Sequence, residues 1–336
     1  MAPSPTRYTY CMTYASAADA MAILSRSAYL ILDCEGRTIG CVGGALSILA
    51  IGTANASEIF LFDVVALADK NHSSLAPLLQ LLRSEEIPKI VWDGRSDALE
   101  LLLTYDVVLG GVLDLQLAEV ISRAAVRGGG RRRLKWLATS YFRKIAAEVH
   151  ANPSMFDDIH TVIGLDKCLQ QCSVAVGQTK DPAVVALHAS KGSEVWMERP
   201  LQPRLLQYAA HDIQLIGLLY AHFLRVGWIR RGRAAHALLR EQSTRYIRVW
   251  TSRDQKTLIN DLGLGVFVPM DTFTALSEDK EKHDCVSCKR ELTQTCFTVR
   301  KATGKLQRKR CCRLCEVTAR NKRRPIDESW VEIMTE

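Results

Sequence analysis

The chain has 336 residues, 48% hydrophobic and 24% charged, a globular composition with length for about two domains. No stretch approaches the roughly 18 consecutive apolar residues of a membrane helix, so neither membrane helices nor global disorder is expected. The first ten residues lack a charged segment followed by an apolar core, which predicts an intracellular site, nuclear or cytoplasmic, where the 11 cysteines stay reduced.

The formal net charge of +8 is unevenly spread. Residues 281–325 hold 14 Lys and Arg against four acids, a local surplus of +10, and the remaining chain sums to −2. A near-neutral body with a basic appendage is the footprint of a protein that meets phosphate through one module. A solvated tail or a nuclear-import signal is the other reading of the same charge run.

In chain order, Ala28 to Leu32 reads as a buried strand ending at Asp33. Gly43-Gly44 interrupts the chain, and Ala45 to Gly52 followed by Glu58 to Asp63 gives two more apolar runs, predicting three antiparallel strands. Ser73 or Ser74 is placed to cap a helix through Leu75, Leu78, Leu79 and Leu82; a short strand, Lys89 to Trp92, follows Pro88. A second helix starts near Ser96, and Val107 to Leu113 leads into a third at Asp114. The alternation implies a mixed sheet with an antiparallel start and a parallel continuation, flanked by helices in an α/β fold. Arg127 to Arg133 reads as a basic loop, with Arg131 and Arg132 as candidate backbone contacts. Leu205 to Leu224 carries the strongest helical periodicity, and a further helix spans about Arg233 to Val249. Beyond it, Gly263, Gly265, Pro269 and the charged 278–282 mark a boundary. The predicted organisation is a domain over 1–250, a linker over 251–280, a basic cysteine-rich module over 281–325 and a tail over 326–336.

Asp33-Cys34-Glu35 puts two carboxylates at i and i+2 on a strand, hence on one face. Like charges that close are tolerated when a cation lies between them, and oxygen ligands select Mg²⁺ or Mn²⁺. Tyr208 and Asp212, four residues apart, share a helix face. Asp33 and Glu35, Asp97 at a helix start within Val91 to Leu99, and Tyr208 with Asp212 together resemble the three motifs of the DEDD 3′-5′ exonucleases. The tyrosine marks the subclass that includes ribonuclease D. Asp114 in Leu113-Asp114-Leu115-Gln116 and Arg199-Pro200-Leu201 are similar to further family features; the resemblance covers roughly Tyr10 to Gly227.

The resemblance implies a ribonuclease H-like fold and two-metal hydrolysis of RNA or DNA from single-stranded 3′ ends, giving nucleoside 5′-monophosphates. Asp33, Glu35 and Asp212 would hold the ion that activates water. Asp33 would bridge to a second ion, held also by Asp97 partly through water, and Tyr208 would orient the attacking water. Asp93 competes with Asp97 for the second motif. Arg95 contacts a phosphate or pairs with a neighbouring acid, and His211 reads as a helix-surface residue. The rival reading is a catalytically silent nucleic-acid-binding or scaffold protein on the same fold.

Six cysteines fall between Cys285 and Cys315. Cys285-x2-Cys288 and Cys312-x2-Cys315 form two knuckles suited to one structural Zn²⁺. Cys311 could replace Cys312, and Cys296 or His283 could complete another arrangement. The segment is too small for a core of its own, so its folding is expected to depend on metal. Lys301, Lys305, Arg308, Lys309 and Arg310, with Arg300 and with Phe297 as a stacking platform, form the candidate nucleic-acid surface. The module could instead bind a protein.

Overall fold

The computed structural model describes residues 6–126, 130–175, 181–230, 233–274, 281–302 and 304–333. The chain divides into two compact units, Met1–Glu119 with Ile163–Arg253, and Val120–Val162 with Asp254–Glu336.

The first unit is built on a six-stranded mixed sheet. In chain order it runs β1 (Thr9–Cys11), α1 (Tyr14–Leu24), β2 (Leu30–Arg37), β3 (Ala45–Gly52), β4 (Ile59–Asp63), α2 (Ala76–Arg83), β5 (Lys89–Val91), α3 (Arg95–Tyr105), β6 (Val112–Asp114) and α4 (Leu115–Val126). The strand order is β1-β4-β3-β2-β5-β6. β2, β3 and β4 pair antiparallel, whereas β5 joins β2, β6 joins β5 and β1 joins β4 in parallel. The antiparallel start and parallel continuation expected from the sequence are both present. β1 and α1 escaped that reading because three residues of strand and an Ala-rich helix carry little periodic signal.

β2 starts at Leu30 and continues through both acids of Asp33-Cys34-Glu35, so these carboxylates lie within the strand and not beyond its end. Its apolar residues alone under-reported its length, because the outward positions of its second half are polar. α2 is preceded by a turn capped by His72, whose Nδ1 accepts from the Ser74 N–H, in place of the expected serine cap. Asp114 closes β6 and α4 begins one residue later.

Later in the chain come α5 (Gly130–Trp136), α6 (Ala146–Ala151), α7 (Leu165–Cys172), α8 (Pro182–Lys191), α9 (Pro203–Arg225), α10 (Arg233–Ile247) and α11 (Arg253–Leu262). α9 opens with Pro203 at its first helical position, where a missing N–H costs nothing. It buries Leu205, Ala209, Ile213, Ile216, Leu219 and Phe223 on one side and lies against β2, β3 and β4. Each buried Leu or Ile contributes about 1.5–3 kcal/mol. Two glycines set the approach: a Cβ on Gly52 would stand 2.5 Å from Ile213 Cγ2, and one on Gly217 would stand 2.9 Å from Ile31 Cδ1.

The second unit contains α5, α6 and α11 with β7 (Lys282–Asp284), β8 (Glu291–Thr293), β9 (Phe297–Ala302), β10 (Lys305–Cys312), α12 (Arg313–Lys322) and β11 (Trp330–Glu332). β7 and β8 form one hairpin, and β9, β10 and β11 an antiparallel sheet. Phe142 stacks on Phe267 with centroids 5.4 Å apart and meets Phe156 edge-on. Two expectations are corrected here. Residues 130–133 of the basic loop are helical, while 127–129 lie outside the described residues. The linker over 251–280 holds α11, whose Ile259 is buried, and its residues 275–280 lie outside the description.

Candidate active site and cysteine cluster

Along β2 the side chains alternate: Leu32, Cys34 and Gly36 are buried, whereas Asp33 and Glu35 are half-exposed on the opposite face. Asp212, on α9 and 4% exposed, is brought to the same place. Asp33, Glu35 and Asp212 each offer a carboxylate oxygen, and these oxygens lie within 4.8 Å of one another. Three carboxylates this close repel one another unless a cation is shared among them.

Asp97 lies in the first turn of α3, 7% exposed and outside that three-carboxylate group. Burial first, then the charges of Asp97 and Asp33, pushes the Cys34 thiol well up. Tyr208 is half-buried one turn before Asp212. Its ring stands edge-on to His188 at 6.1 Å and 6.3 Å from Trp196, whose indole N–H donates to His188 Nε2 at 2.9 Å. His211 is half-buried and outside the carboxylate group.

Asp93, with φ of 55°, occupies the tight turn before α3. Arg95 donates to both its oxygens, at 2.6 and 2.8 Å, and lies over the rings of Tyr246 and Trp250. At 3% exposure Arg95 is packed as the partner of Asp93, the pairing alternative of the sequence reading, and not as a phosphate contact. Asp114 accepts the backbone N–H groups of Asp93, Gly94 and Gln116 at 3.2, 2.9 and 2.9 Å. Burial, then the charge of Asp93, pushes its carboxyl up to about 7. These contacts fasten the turn from which α3, and with it Asp97, departs.

A second buried pair sits before α9. Arg199 donates to Asp63 Oδ2 and Oδ1 at 2.9 and 2.7 Å, to Ser47 Oγ at 3.0 Å and to the Trp196 carbonyl at 2.8 Å. Burial raises the Asp63 carboxyl, but hydrogen bonds from Arg199, Tyr10 and the Ala66 N–H outweigh it and hold it below the ordinary 3.8. A depressed carboxylate stabilises the fold above its unfolded value, and that stability is lost as pH falls through the folded value. Arg199→Met, which strands a buried charge, is expected to cost about 3–5 kcal/mol at neutral pH. In urea titrations the deficit should shrink as falling pH protonates Asp63, starting above 3.8 in the variant, where burial raises the unpaired carboxyl; a deficit independent of pH would contradict the pairing.

In the second unit, Sγ atoms of Cys285, Cys288, Cys312 and Cys315 lie within 4.8 Å of one another, all buried. Cys285 and Cys288 flank the turn after β7, while Cys312 caps α12 and Cys315 lies in its first turn. The Cys312 N–H donates to Cys285 Sγ at 3.2 Å, and hydrogen bonds from Cys288 and then the other neighbouring thiols hold Cys285 well below the usual thiol range. Cys296 is not in this group: its thiol donates to Asp271 at 2.7 Å. His283 and Cys311 also lie outside it.

The basic surface is more heavily paired than its composition suggests. Lys305 meets Glu332 at 2.8 Å, Arg310 meets Asp327 at 3.1 Å and Lys309 meets Glu316 at 3.9 Å. Arg300 lies over Trp330 and Arg308 over Phe297. Phe297 is 3% exposed beneath that guanidinium, which corrects its reading as a stacking platform for bases. Lys301, Arg131 and Arg132 are exposed.

Residues 8–152 match the sequence model of a family described as 3′-5′ exonuclease. That span includes Asp33, Glu35 and Asp97 and ends before Tyr208 and Asp212. Among solved structures, Trypanosoma brucei RNase D is similar in fold at 18% identity and a TM-score of 0.54, over 85% of this chain and 93% of that one. The same enzyme in complex with RNA U12 matches at 20% identity and a TM-score of 0.52, over 74% and 72% of the two chains. Its GMP complex matches at 19% identity and a TM-score of 0.50, over 84% and 82%. No curated protein matches the chain. No helix among the described residues is long and apolar enough to cross a membrane. The family match thus spans the first two acidic motifs, and the chain shares the fold of RNase D.

Proposed function

We propose that the protein shortens single-stranded nucleic acid from its 3′ end in a reaction that depends on divalent cations, releasing nucleoside 5′-monophosphates. The observation that carries this reading is the convergence of Asp33, Glu35 and Asp212 oxygens within 4.8 Å. Mg²⁺ takes oxygen ligands at roughly 2.0–2.1 Å, so two oxygens on one ion are at most about 4.2 Å apart, and small side-chain adjustments suffice. Asp97, outside the group at the start of α3, would hold a second ion partly through water. A pair of such ions supplies an activated water and neutralises charge on the leaving oxygen.

The chain's own residues do the rest. Asp33, on β2, would contribute to both ions, and Glu35 and Asp212 would complete the first. A phenol with an ordinary value near 10 is a poor base at pH 7, so Tyr208 orients the attacking water by hydrogen bonding. The ring contacts from His188 and Trp196 hold Tyr208 in register. RNA is the first substrate to test, because a similar fold was solved with RNA U12 and with GMP; DNA is the comparison arm. The experiment is incubation of 5′-labelled strands with Mn²⁺ or Mg²⁺. A ladder shrinking from the 3′ end supports the reading, and binding without shortening favours the silent scaffold.

We further propose that the four-cysteine cluster holds one structural Zn²⁺. Four sulfurs about 2.3 Å from a tetrahedral centre stand about 3.8 Å apart, and the Cys285 and Cys315 sulfurs are separated by 3.8 Å. Thiolate ligands in this number and geometry suit zinc and leave no open position, so the role is folding and not catalysis. The site of action is intracellular, nuclear or cytoplasmic, where such thiols persist unoxidised.

A further inference from the structure

We propose that the cleft between β7 and the β10-β11 side of the second unit is a phosphate-binding site for a nucleic-acid strand, centred on His283. It rests on the nucleic-acid reading above but names a separate site. The cavity encloses about 350 Å³, within the size range of ligand pockets. Lys282, His283, Arg308 and Arg310 line it against a single carboxylate, Asp284, with Val286 and Val331 as apolar walls. Three permanent cations line the cleft beside Asp284, with Glu281, Glu291 and Asp327 at its edge, so a phosphate enters by exchange with these acids.

His283 points most directly to a ligand. The residue is 9% exposed, and its buried Nε2 has no hydrogen-bond partner. Its Nδ1 lies 3.7 Å from Glu281, and its ring edge meets Phe297. An orphaned buried nitrogen costs about 1–3 kcal/mol in most settings, so natural sites rarely keep one without a use. That nitrogen has no exposed surface, so a phosphate oxygen in the cleft would accept from the Nε2–H once the ring turns to present it. Arg308 is held in place by its lie over Phe297 at 4.9 Å and by donation to the Lys309 carbonyl at 3.2 Å. The pairs that Arg310 and Lys282 make with Asp327 and Glu291, at 3.1 and 3.8 Å, are exposed and weak enough to yield to a phosphate. The valines fit the sugar edge of a phosphodiester, and nothing in the cleft reads a base, so binding is independent of sequence.

The test is fluorescence anisotropy of a 5′-fluorescein 12-nucleotide oligouridylate with the full, zinc-bearing chain and no added Mg²⁺ or Mn²⁺, across a salt series. Arg308→Gln and His283→Gln are each expected to weaken binding about tenfold, with zinc content unchanged. Arg308→Gln should also flatten the log-log salt slope by about 0.7, one phosphate contact on a single strand. Lys70→Gln, an exposed cation of the first unit outside the cleft, serves as the control. Unchanged affinity in both cleft variants overturns the proposal, as does an equal loss in Lys70→Gln. A 12-residue polyglutamate that binds the cleft more tightly than the oligonucleotide also overturns it, in favour of an acidic protein partner. Strands bound through the cleft but never shortened overturn the nuclease reading and leave this site standing; strands shortened normally by chains indifferent to both substitutions do the reverse.

Discussion

Asp33→Asn, Glu35→Gln and Asp212→Asn should each slow 3′ shortening of a labelled strand by at least about a thousandfold, since losing ~4 kcal/mol of ion-mediated stabilisation is a factor of that size. The loss is expected to occur without unfolding. In metal-free protein each substitution removes one of three clustered like charges, so the melting temperature should hold or rise. Calorimetry beside the kinetics separates the two effects: a large activity loss accompanied by a collapse in stability would mean that these carboxylates are structural. Asp97→Asn should also impair shortening, since the account places it at the second ion. If Asp97→Asn were silent while the other three were inactive, a single ion held by the clustered three would be the better description.

The second large effect concerns the cysteine cluster. The purified chain should contain one zinc, and Cys285→Ser or Cys312→Ser should lose it. Apparent binding free energies of structural zinc in small finger peptides are on the order of 10 kcal/mol, comparable to the whole stability of a domain. Chelation should therefore open the β7-β8 hairpin, β10 and the start of α12 to hydrogen exchange. Cys296→Ser should retain the metal, because that thiol is engaged by Asp271, and Cys311→Ser and His283→Ala should retain it because neither belongs to the four-sulfur group. Metal analysis of this series identifies the ligands directly. Zinc retained by Cys312→Ser and lost by Cys311→Ser would exchange their roles.

What the sequence disclosed and what it withheld divide along a physical line. The i, i+2 pair Asp33 and Glu35 and the i, i+4 pair Tyr208 and Asp212 are periodic features, so a single element fixes which side chains share a face. Arg95 was ambiguous because what decides its role, the rings of Tyr246 and Trp250, is some 150 residues away in the chain. The Arg199 and Asp63 pair, 136 residues apart, left no local signal beyond an arginine before a proline. Cys296 stayed open as an alternative ligand because its partner Asp271, which accepts the thiol's hydrogen bond, lies 25 residues earlier in the chain. The basic tail counted as free charge because Glu332 and Asp327, which pair with Lys305 and Arg310, come from a strand and turn that only the antiparallel register brings alongside. Residues 251–280 read as a linker because α11 is short and polar, with a single apolar side.

The most direct test of the central claim is denaturing electrophoresis of a 5′-labelled single-stranded RNA incubated with the zinc-bearing chain, with and without Mg²⁺ or Mn²⁺. The account predicts stepwise loss of single nucleotides from the 3′ end, released as 5′-monophosphates, only when the divalent ion is present. Strands left at full length with the ion supplied, or shortened equally without it, would contradict the assignment of Asp33, Glu35 and Asp212 to a catalytic ion site.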